Sequence, residues 1–326
     1  MKDRYGRDHV YLRVAVTDRC NLRCTYCMPS SATSFRERVD LLSFEEILRL
    51  ASIFARLGIR KMRITGGEPT VRRGIVELCE RLRAVSGIET LALTTNGVQL
   101  KTLARPLFAA GVRRLNVSLD SIRRERFAQI TGKDLLPDVL AGIEEALDAG
   151  FAPLKVNTVV MAGVNDDELL DLVALARTKP IEIRFIELMP FKDNGWREER
   201  FLPCTAMMAT IGAEHHLIPD GKLERTGGVA KDFVVPGFRG RVSFVTPFSD
   251  SFCQRCNRLR LTADGQLKTC LYSTPEADLR AALRRGDPDE KLQALILSAL
   301  EQKPECHPPL ADLAGRTNTI MNVVGG

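Results

Sequence analysis

The pattern that most narrows the fold of this chain is a repeat of strand and helix signatures through its first 190 residues. His9 to Thr17 sets Val10, Leu12, Val14 and Val16 against Tyr11, Arg13 and Ala15, the period of two that marks a strand. Ser43-Phe-Glu-Glu46 has the form of a capping box. The helix it opens runs to Gly58, with Phe44, Ile47, Leu48, Ala51, Ala55 and Leu57 on its apolar side. Strand signatures recur at Lys61–Thr65, Thr90–Thr94, Arg114–Leu119, Leu154–Val160 and Ile181–Leu188. Helical sequence falls between them, over Gly74–Val85, around Thr102–Ala110, up to Ala149 and near Asp167–Arg177; Gly58, Gly111 and Gly150 each close a helix. Six strand–helix units in succession predict a parallel α/β domain. Motif-like residues gather where strands end: Thr17, Thr65–Glu68, Thr94–Gly97, Ser118–Asp120 and Leu188–Pro190. In barrels of parallel strands that end carries the chemistry. Six units cannot close the usual eight-stranded barrel, so an incomplete, open (β/α)6 barrel is expected, with an open doubly wound sheet as the alternative.

Cys20-Asn-Leu-Arg-Cys24-Thr-Tyr-Cys27 follows the first strand. Three thiols within eight residues can grip one metal centre, yet they are one short of the four that a structural zinc or a fully ligated iron–sulfur cluster takes. The next cysteine is Cys79. One reading is a cube of four irons on three thiolates, with one iron open to a small molecule. The same spacing puts the three cysteines on one helix face, as in a buried apolar stripe, although Asn21, Arg23 and Pro29 suit such a helix poorly. A zinc knuckle completed from far along the chain is a third reading. A disulfide framework is disfavoured by the odd total of nine cysteines and by the want of a signal-peptide pattern.

After Pro190 the sequence becomes irregular as far as about residue 240, so the chain divides into 1–190 and 191–326. Gly240–Thr246 reads as a strand. Then come Cys253-Gln-Arg-Cys256 and, beyond thirteen intervening residues, Cys270. Between them a hairpin is expected from Arg258–Thr262 and Leu267–Leu271, turned at Asp264-Gly265. Two helices follow, the second opened by Asp287-Pro288, and the last twenty residues read as coil. The repeated count of three thiolates favours a second cluster with an open iron; Cys306-His307 could instead complete a zinc site. Cys79 reads as core and Cys204 as structural.

The bulk numbers exclude several classes. No run approaches the roughly eighteen apolar residues of a membrane span, and the start has no apolar h-region, so a cytoplasmic protein is expected. Net charge is +6, from 47 basic and 41 acidic residues, which fits either an anionic ligand or a solvated basic surface. No basic block with interleaved aromatics is present, so nucleic acid is not an expected partner.

The first cysteine motif, with an aromatic before its last Cys, and the Gly-Gly-Glu-Pro69 after the second strand resemble the radical S-adenosylmethionine superfamily. Arg19 to Pro29, Arg63 to Pro69, Thr94-Thr-Asn-Gly97, Ser118-Leu-Asp120, Cys253-x-x-Cys256-Asn-Arg-Leu-Arg260, Cys270 and Gly325-Gly326 together are similar to its GTP 3′,8-cyclase family, of molybdenum cofactor biosynthesis. The resemblance spans essentially the whole chain. It implies a partial barrel followed by a domain carrying a second cluster. It implies a [4Fe–4S] cluster on Cys20, Cys24 and Cys27 that binds S-adenosylmethionine, with cofactor contacts at Tyr26, Gly67, Ser118 and Met189. Reductive cleavage of the sulfonium would give a 5′-deoxyadenosyl radical that takes hydrogen from C3′ of GTP, after which C3′ bonds to C8. A second [4Fe–4S] cluster, on Cys253, Cys256 and Cys270, would hold the guanine. GTP contacts would fall on Arg13, Arg63, Thr94, Lys155, Arg258, Leu259 and Arg260, and Gly325 and Gly326, with Arg13, would act in catalysis. Implied partners are a flavodoxin- or ferredoxin-like electron donor and the cyclic pyranopterin monophosphate synthase that receives the product; a homodimer is allowed.

The residues support part of this on their own. Arg13, Arg63 and Lys155 lie in three predicted strands, and a charge pointing into a barrel is costly unless it meets a counter-charge such as a triphosphate; outward-facing or acid-paired side chains are the alternative. Arg258 and Arg260 are two apart on a strand and share a face beside Cys256. The nearest rival, a superfamily member acting on a peptide, is disfavoured by that arginine pair and by Gly325-Gly326.

Overall fold

The computed structural model describes residues 1–28, 35–221, 228–313 and 320–325. Pro29 of the first motif and Gly326 lie outside the described residues. In chain order the first part contains β1 (Tyr11–Ala15), α1 (Phe44–Arg56), β2 (Lys61–Thr65), α2 (Ile75–Arg83), β3 (Thr90–Thr95), α3 (Leu100–Ala109), β4 (Val112–Ser118), α4 (Arg124–Thr131), α5 (Leu136–Asp148), β5 (Leu154–Val160), α6 (Leu169–Thr178) and β6 (Ile181–Glu187). The second part adds α7 (Cys204–Glu214), β7 (Ile218–Pro219), β8 (Ala230–Val234), β9 (Arg241–Val245), β10 (Arg258–Leu261), β11 (Gln266–Lys268), β12 (Ala277–Asp278), α8 (Leu279–Arg284), α9 (Asp289–Glu301), α10 (Leu310–Leu313) and α11 (Met321–Val324).

All strands join one 12-stranded sheet in the order β12-β11-β10-β1-β2-β3-β4-β5-β6-β9-β8-β7. The six strands of the repeat pair in parallel, each with the next, as the strand–helix alternation predicts. The residues after 190 extend this sheet on both edges. β10 lies parallel to β1, and β9 lies parallel to β6. Beyond them β11, β12, β8 and β7 turn antiparallel, and the two ends do not meet, so the barrel stays open. The hairpin β10–β11 turns at Asp264-Gly265 as expected.

Alternation along each strand sorts its side chains. In β1, Leu12 and Val14 are buried in the apolar core with Met62 and Ile64 of β2, Leu50 and Phe54 of α1, and Leu78 and Leu82 of α2. Tyr11 and Arg13 point the other way, into the concave interior. The capping box of α1 is present: Ser43 Oγ accepts from Glu46 N at 3.1 Å, and Glu46 Oε2 accepts from Ser43 N at 2.7 Å. Ile47, Ala51 and Ala55 of the expected face are buried, and Leu50, Ile53 and Phe54 join them; Phe44, Leu48 and Leu57 are only half-buried.

The structure corrects three sequence expectations. α7 occupies sequence read as irregular, where Thr205, Thr210 and Gly212 weaken the helical signal. Pro288 is the N-cap of α9 and Asp289 its first residue, a shift of one. Asp289 accepts from Arg49 and Arg56 of α1, at 2.9 and 2.6 Å, and so ties the C-terminal part onto the barrel. Met321–Val324 is a helical turn rather than coil. Among the described residues, no helix is long and apolar enough to cross a membrane.

Candidate active site

The Cys20–Cys27 stretch is a loop, not a helix, which removes the apolar-stripe reading. Its path is set by backbone hydrogen bonds. Before it, Gly67 N donates to Thr17 O and Glu68 N to Arg19 O, both at 2.7 Å. Within it, Arg23 N donates to Thr131 O and Thr25 N to Ile130 O, at 2.8 and 2.9 Å, on the last turn of α4. Gly66 and Gly67 permit this close approach: a Cβ on Gly66 would stand 2.4 Å from Thr17 O, and one on Gly67 2.3 Å from Arg19 O. Glu68, fully buried, accepts from Thr70 N and Oγ1, Thr95 Oγ1 and Asn96 N, and so joins the Gly-Gly-Glu-Pro turn to the end of β3. Gly67→Ala is therefore expected to push the lead-in to the cysteine loop aside, costing ~1–3 kcal/mol of stability as an overpacked substitution does. Thermal unfolding checks this; an unchanged Tm would show that the loop can yield.

Both cysteine triads border one cavity of about 290 Å³. Cys20, Cys24, Cys27, Cys253, Cys256 and Cys270 all line it, although the two groups are more than two hundred residues apart. All nine cysteines are free thiols. Among the described residues, no three His, Cys, Asp or Glu side chains converge on a point that would hold a single ion. The fit rests on the donor set: each triad offers three thiols, the ligand type that holds iron–sulfur clusters, and one fewer than a fully ligated cluster takes. The environments of the triads differ. Burial pushes the Cys24 thiol well up and Cys27 up to about 12, with Asp120 and the neighbouring thiols adding to it. Cys20 Sγ accepts from Leu22 N at 3.4 Å and Asn96 Nδ2 at 3.7 Å. At the second triad burial acts in the same direction but is outweighed. His307 and Ser251 bring Cys253 down to about 6, and Arg258 with Lys303 lowers Cys256. The donors and cations beside Cys253 and Cys256 thus favour the thiolate at both.

Cys306 and His307 both stand against Cys253, and His307 lines the cavity. The His307 ring is further held with Nδ1 facing Pro308 O at 2.7 Å and Nε2 facing Pro247 O at 2.8 Å, against Phe248 and Tyr272. Cys79 is fully buried on α2, and Cys204, also buried, opens α7.

Of the expected cofactor contacts, Tyr26, Gly67, Ser118 and Met189 all line the cavity. Tyr26 OH donates to Asp120 Oδ2 at 2.7 Å, and Val159 N donates to Oδ1 at 2.9 Å. Burial raises the Asp120 carboxyl to about 6 despite those two donors. Tyr26 is thereby held by its hydroxyl while its ring packs on Ile130, Met161 and Leu188.

Of the expected substrate contacts, Arg13, Thr94, Arg258 and Arg260 line the cavity. Strand register puts three arginines in one row, since Arg13 pairs with Arg260 on one side and with Arg63 on the other. Each is more than nine-tenths buried. Burial lowers Arg13 to about 10 and Arg260 to about 9, and their arginine neighbours add to both effects. Arg63 sits behind the lining, where it donates to Tyr11 OH at 2.6 Å, Leu93 O at 3.0 Å and Thr94 Oγ1 at 3.2 Å. The Tyr11 hydroxyl is brought down to about 6, burial opposing the change and Arg63, Arg13 and Lys61 driving it. Lys155 is also outside the lining and pairs with Glu182 at 2.9 Å, so it already has an acid. Leu259 is fully buried in the apolar core, opposite Arg258 and Arg260, which leaves only its backbone for any contact. Gly325 is seated beside the site, its carbonyl accepting from Arg260 Nη1 at 2.7 Å.

Several lining residues were missed. Arg184 of β6, ion-paired with Glu182, faces the cavity with Asn116 and Asn157. The signal that flagged Arg13, a polar residue alternating with apolar ones in a strand, was there for all three. The Oδ1 atoms of Asn116 and Asn157 are buried without a hydrogen-bond partner, which fits a polar ligand in the cavity.

A partial barrel of parallel strands with a three-cysteine loop after its first strand is the architecture of a radical S-adenosylmethionine protein. The family model described as Radical SAM superfamily matches residues 14–176, and that described as Molybdenum Cofactor Synthesis C matches 181–309. Streptococcus suis SuiB, solved bound to S-adenosylmethionine, shares the fold at TM-score 0.59 and 13% identity, over 85% of this chain and 65% of that one. A GTP 3′,8-cyclase of Heliobacterium modesticaldum is 46% identical over 100% of both chains. Molybdenum cofactor biosynthesis protein 1 of Mus musculus is 42% identical over 100% of this chain and 51% of its own length, so the chain spans about half of that relative. The chain belongs to the GTP 3′,8-cyclase family.

Proposed function

We propose that this chain is a radical S-adenosylmethionine enzyme that cyclises GTP, joining C3′ to C8 in the first step of molybdenum cofactor biosynthesis. The observation that carries the reading is that Arg13, Arg258 and Arg260 line one cavity together with both cysteine triads. Several guanidiniums converging on one cavity favour an anionic ligand there, and a triphosphate is an anion of suitable charge. In this reading Cys20, Cys24 and Cys27 hold a [4Fe–4S] cluster with S-adenosylmethionine, and Cys253, Cys256 and Cys270 hold a second. Together the first cluster and S-adenosylmethionine supply one-electron cleavage of the sulfonium and a hydrogen-abstracting radical. The protein orients and encloses. Tyr26, fixed by Asp120, and the Gly66-Gly67 turn shape the cofactor end; Gly67, Ser118 and Met189 border it. Arg13, Arg258 and Arg260 receive the nucleotide, with Thr94 held in place by Arg63. Lys155 reaches the substrate only if a phosphate displaces Glu182. Gly325, its carbonyl held by Arg260, and the Gly326 that follows it in the sequence act with Arg13 on the reacting centre. The electron donor is a flavodoxin- or ferredoxin-like protein, and the product passes to the cyclic pyranopterin monophosphate synthase, in the cytoplasm.

Protein purified without oxygen should carry about eight irons per chain, four per cluster. With S-adenosylmethionine, dithionite and GTP it should release 5′-deoxyadenosine and a cyclised nucleotide identified by mass and fragmentation. Colourless protein with stoichiometric zinc, or 5′-deoxyadenosine release with no change in GTP, would overturn the reading.

A further inference from the structure

Lys303 follows α9 and is only 2% exposed, one of the largest fully buried side chains in the molecule. A buried ammonium is costly unless it meets negative charge and acceptors. Its Nζ lies 3.9 Å from Cys256 Sγ and 3.2 Å from Arg258 O, and it donates to Thr269 O. Among the described residues no carboxylate pairs with it. The acid nearest this cluster, Asp3, is taken by Arg7 at 2.6 Å. Arg7 and Arg258 oppose the Lys303 charge, and His9 beside it is kept neutral by burial and by Lys303 itself. The groups of opposite charge are the sulfurs of Cys256 and Cys270. Arg7 clamps the same segment, donating to Pro304 O at 2.8 Å, to Glu305 O at 2.6 Å and to Cys253 O at 2.9 Å. One buried cation therefore touches Cys256 and the backbone at both ends of the hairpin that joins Cys256 to Cys270.

We propose that Lys303 is a positioning residue of the second cluster. Its ammonium fixes Cys256 relative to Thr269-Cys270 and supplies the positive charge that balances three thiolates on an iron–sulfur core. This rests on the second-cluster reading above. The two carbonyls hold the ammonium in place, so its charge acts on the cluster at a constant short distance, and hydrogen bonds and charge near cluster sulfurs are what set reduction potential. A cation there stabilises the form carrying the extra electron, so its removal makes that form harder to reach.

The test uses the full chain, reconstituted with iron and sulfide without oxygen, as wild type, Lys303→Gln and Lys303→Arg. Gln can still donate to Arg258 O and Thr269 O, so it removes the charge and keeps a tether. Iron is counted, and each cluster is followed by paramagnetic resonance during titration with dithionite. The expected result for Lys303→Gln is a second-cluster midpoint shifted to more negative potential, or loss of about four of eight irons, with the first cluster unchanged. Lys303→Arg should restore either property. A Gln variant with wild-type iron and wild-type midpoint overturns the inference, as does an Arg variant no better than Gln. About four irons in the wild type would overturn the second-cluster reading and this inference with it, whereas eight irons with an indifferent Lys303 overturns this inference alone.

Discussion

Gly325→Ala should lower formation of cyclised nucleotide by about a hundredfold or more, the scale of loss when a reacting arrangement is displaced, while both clusters and the fold remain. The reason is local and steric. A Cβ at Gly325 would stand 2.0 Å from Thr65 Oγ1, 3.2 Å from Thr65 Cβ and 3.4 Å from Ala15 Cβ. Gly325 also has φ of +75°, a conformation in which glycine alone is unstrained. The segment cannot slide to make room. Val324 and Asn322 are both 4% exposed, Asn322 Nδ2 donates to Asp18 O at 3.1 Å, and Arg260 holds the Gly325 carbonyl. Thr65 and Asp18 flank the turn and the loop that position the first triad, so the tail is keyed to the cofactor end of the cavity. Thr65→Ala in the same chain should restore part of the activity, because it removes the nearest clashing atom. Wild-type turnover by Gly325→Ala would show that the segment merely lies beside the site.

Arg260→Ala should reduce kcat/KM for GTP by at least ~10–150-fold, the equivalent of roughly 1.5–3 kcal/mol for one charge-assisted contact. The effect should be larger than for Arg258→Ala. Arg260 does two things at once: it belongs to the buried row with Arg13, and it is the donor that fixes Gly325. Arg258, at the edge of the row and stacked 4.8 Å from the centre of the Phe252 ring, has only the first task. Arg260→Ala should keep its iron, because the Arg260 side chain bonds the Gly325 carbonyl rather than a triad sulfur. Arg260→Lys should recover part of the nucleotide affinity through its charge but little of the turnover, since a single ammonium cannot serve the anion and the Gly325 carbonyl in the same fork geometry. Steady-state kinetics with equilibrium GTP binding separates these outcomes. Unchanged affinity and turnover in the Arg258→Ala, Arg260→Ala double variant would make these arginines surface decoration.

Much of the molecule was legible because its signals are local. Alternation of apolar residues writes the strands, the capping box writes the start of α1, and glycines write the helix ends; each needs only neighbours within a few residues. The two cysteine sets were legible for the same reason, since spacing along the chain is itself the signal. The family motifs then linked these local features to a chemistry. α7 was not legible, because its burial depends on which surface it meets rather than on its weak apolar period.

What only the tertiary structure decided are relations between distant segments. Nothing in β9 or β10 says that they lie parallel to β6 and β1, and those pairings bring Cys253, Cys256 and Cys270 to the same cavity as Cys20, Cys24 and Cys27. Register across three strands, not sequence, aligns Arg260, Arg13 and Arg63. The division of labour among basic residues was equally hidden. Lys155 is paired with Glu182, Arg63 supports Thr94 from behind, and Lys303 lies under the second triad. A charged side chain looks the same in sequence whether its counter-charge is water, a carboxylate, a thiolate or a ligand. The free energy that separates these cases comes from desolvation and from partners brought in by folding. The sequence by itself therefore determined the strands, the ligand spacing and the kind of chemistry, while the closed arrangement of two triads, an arginine row and a glycine at one cavity came from long-range packing.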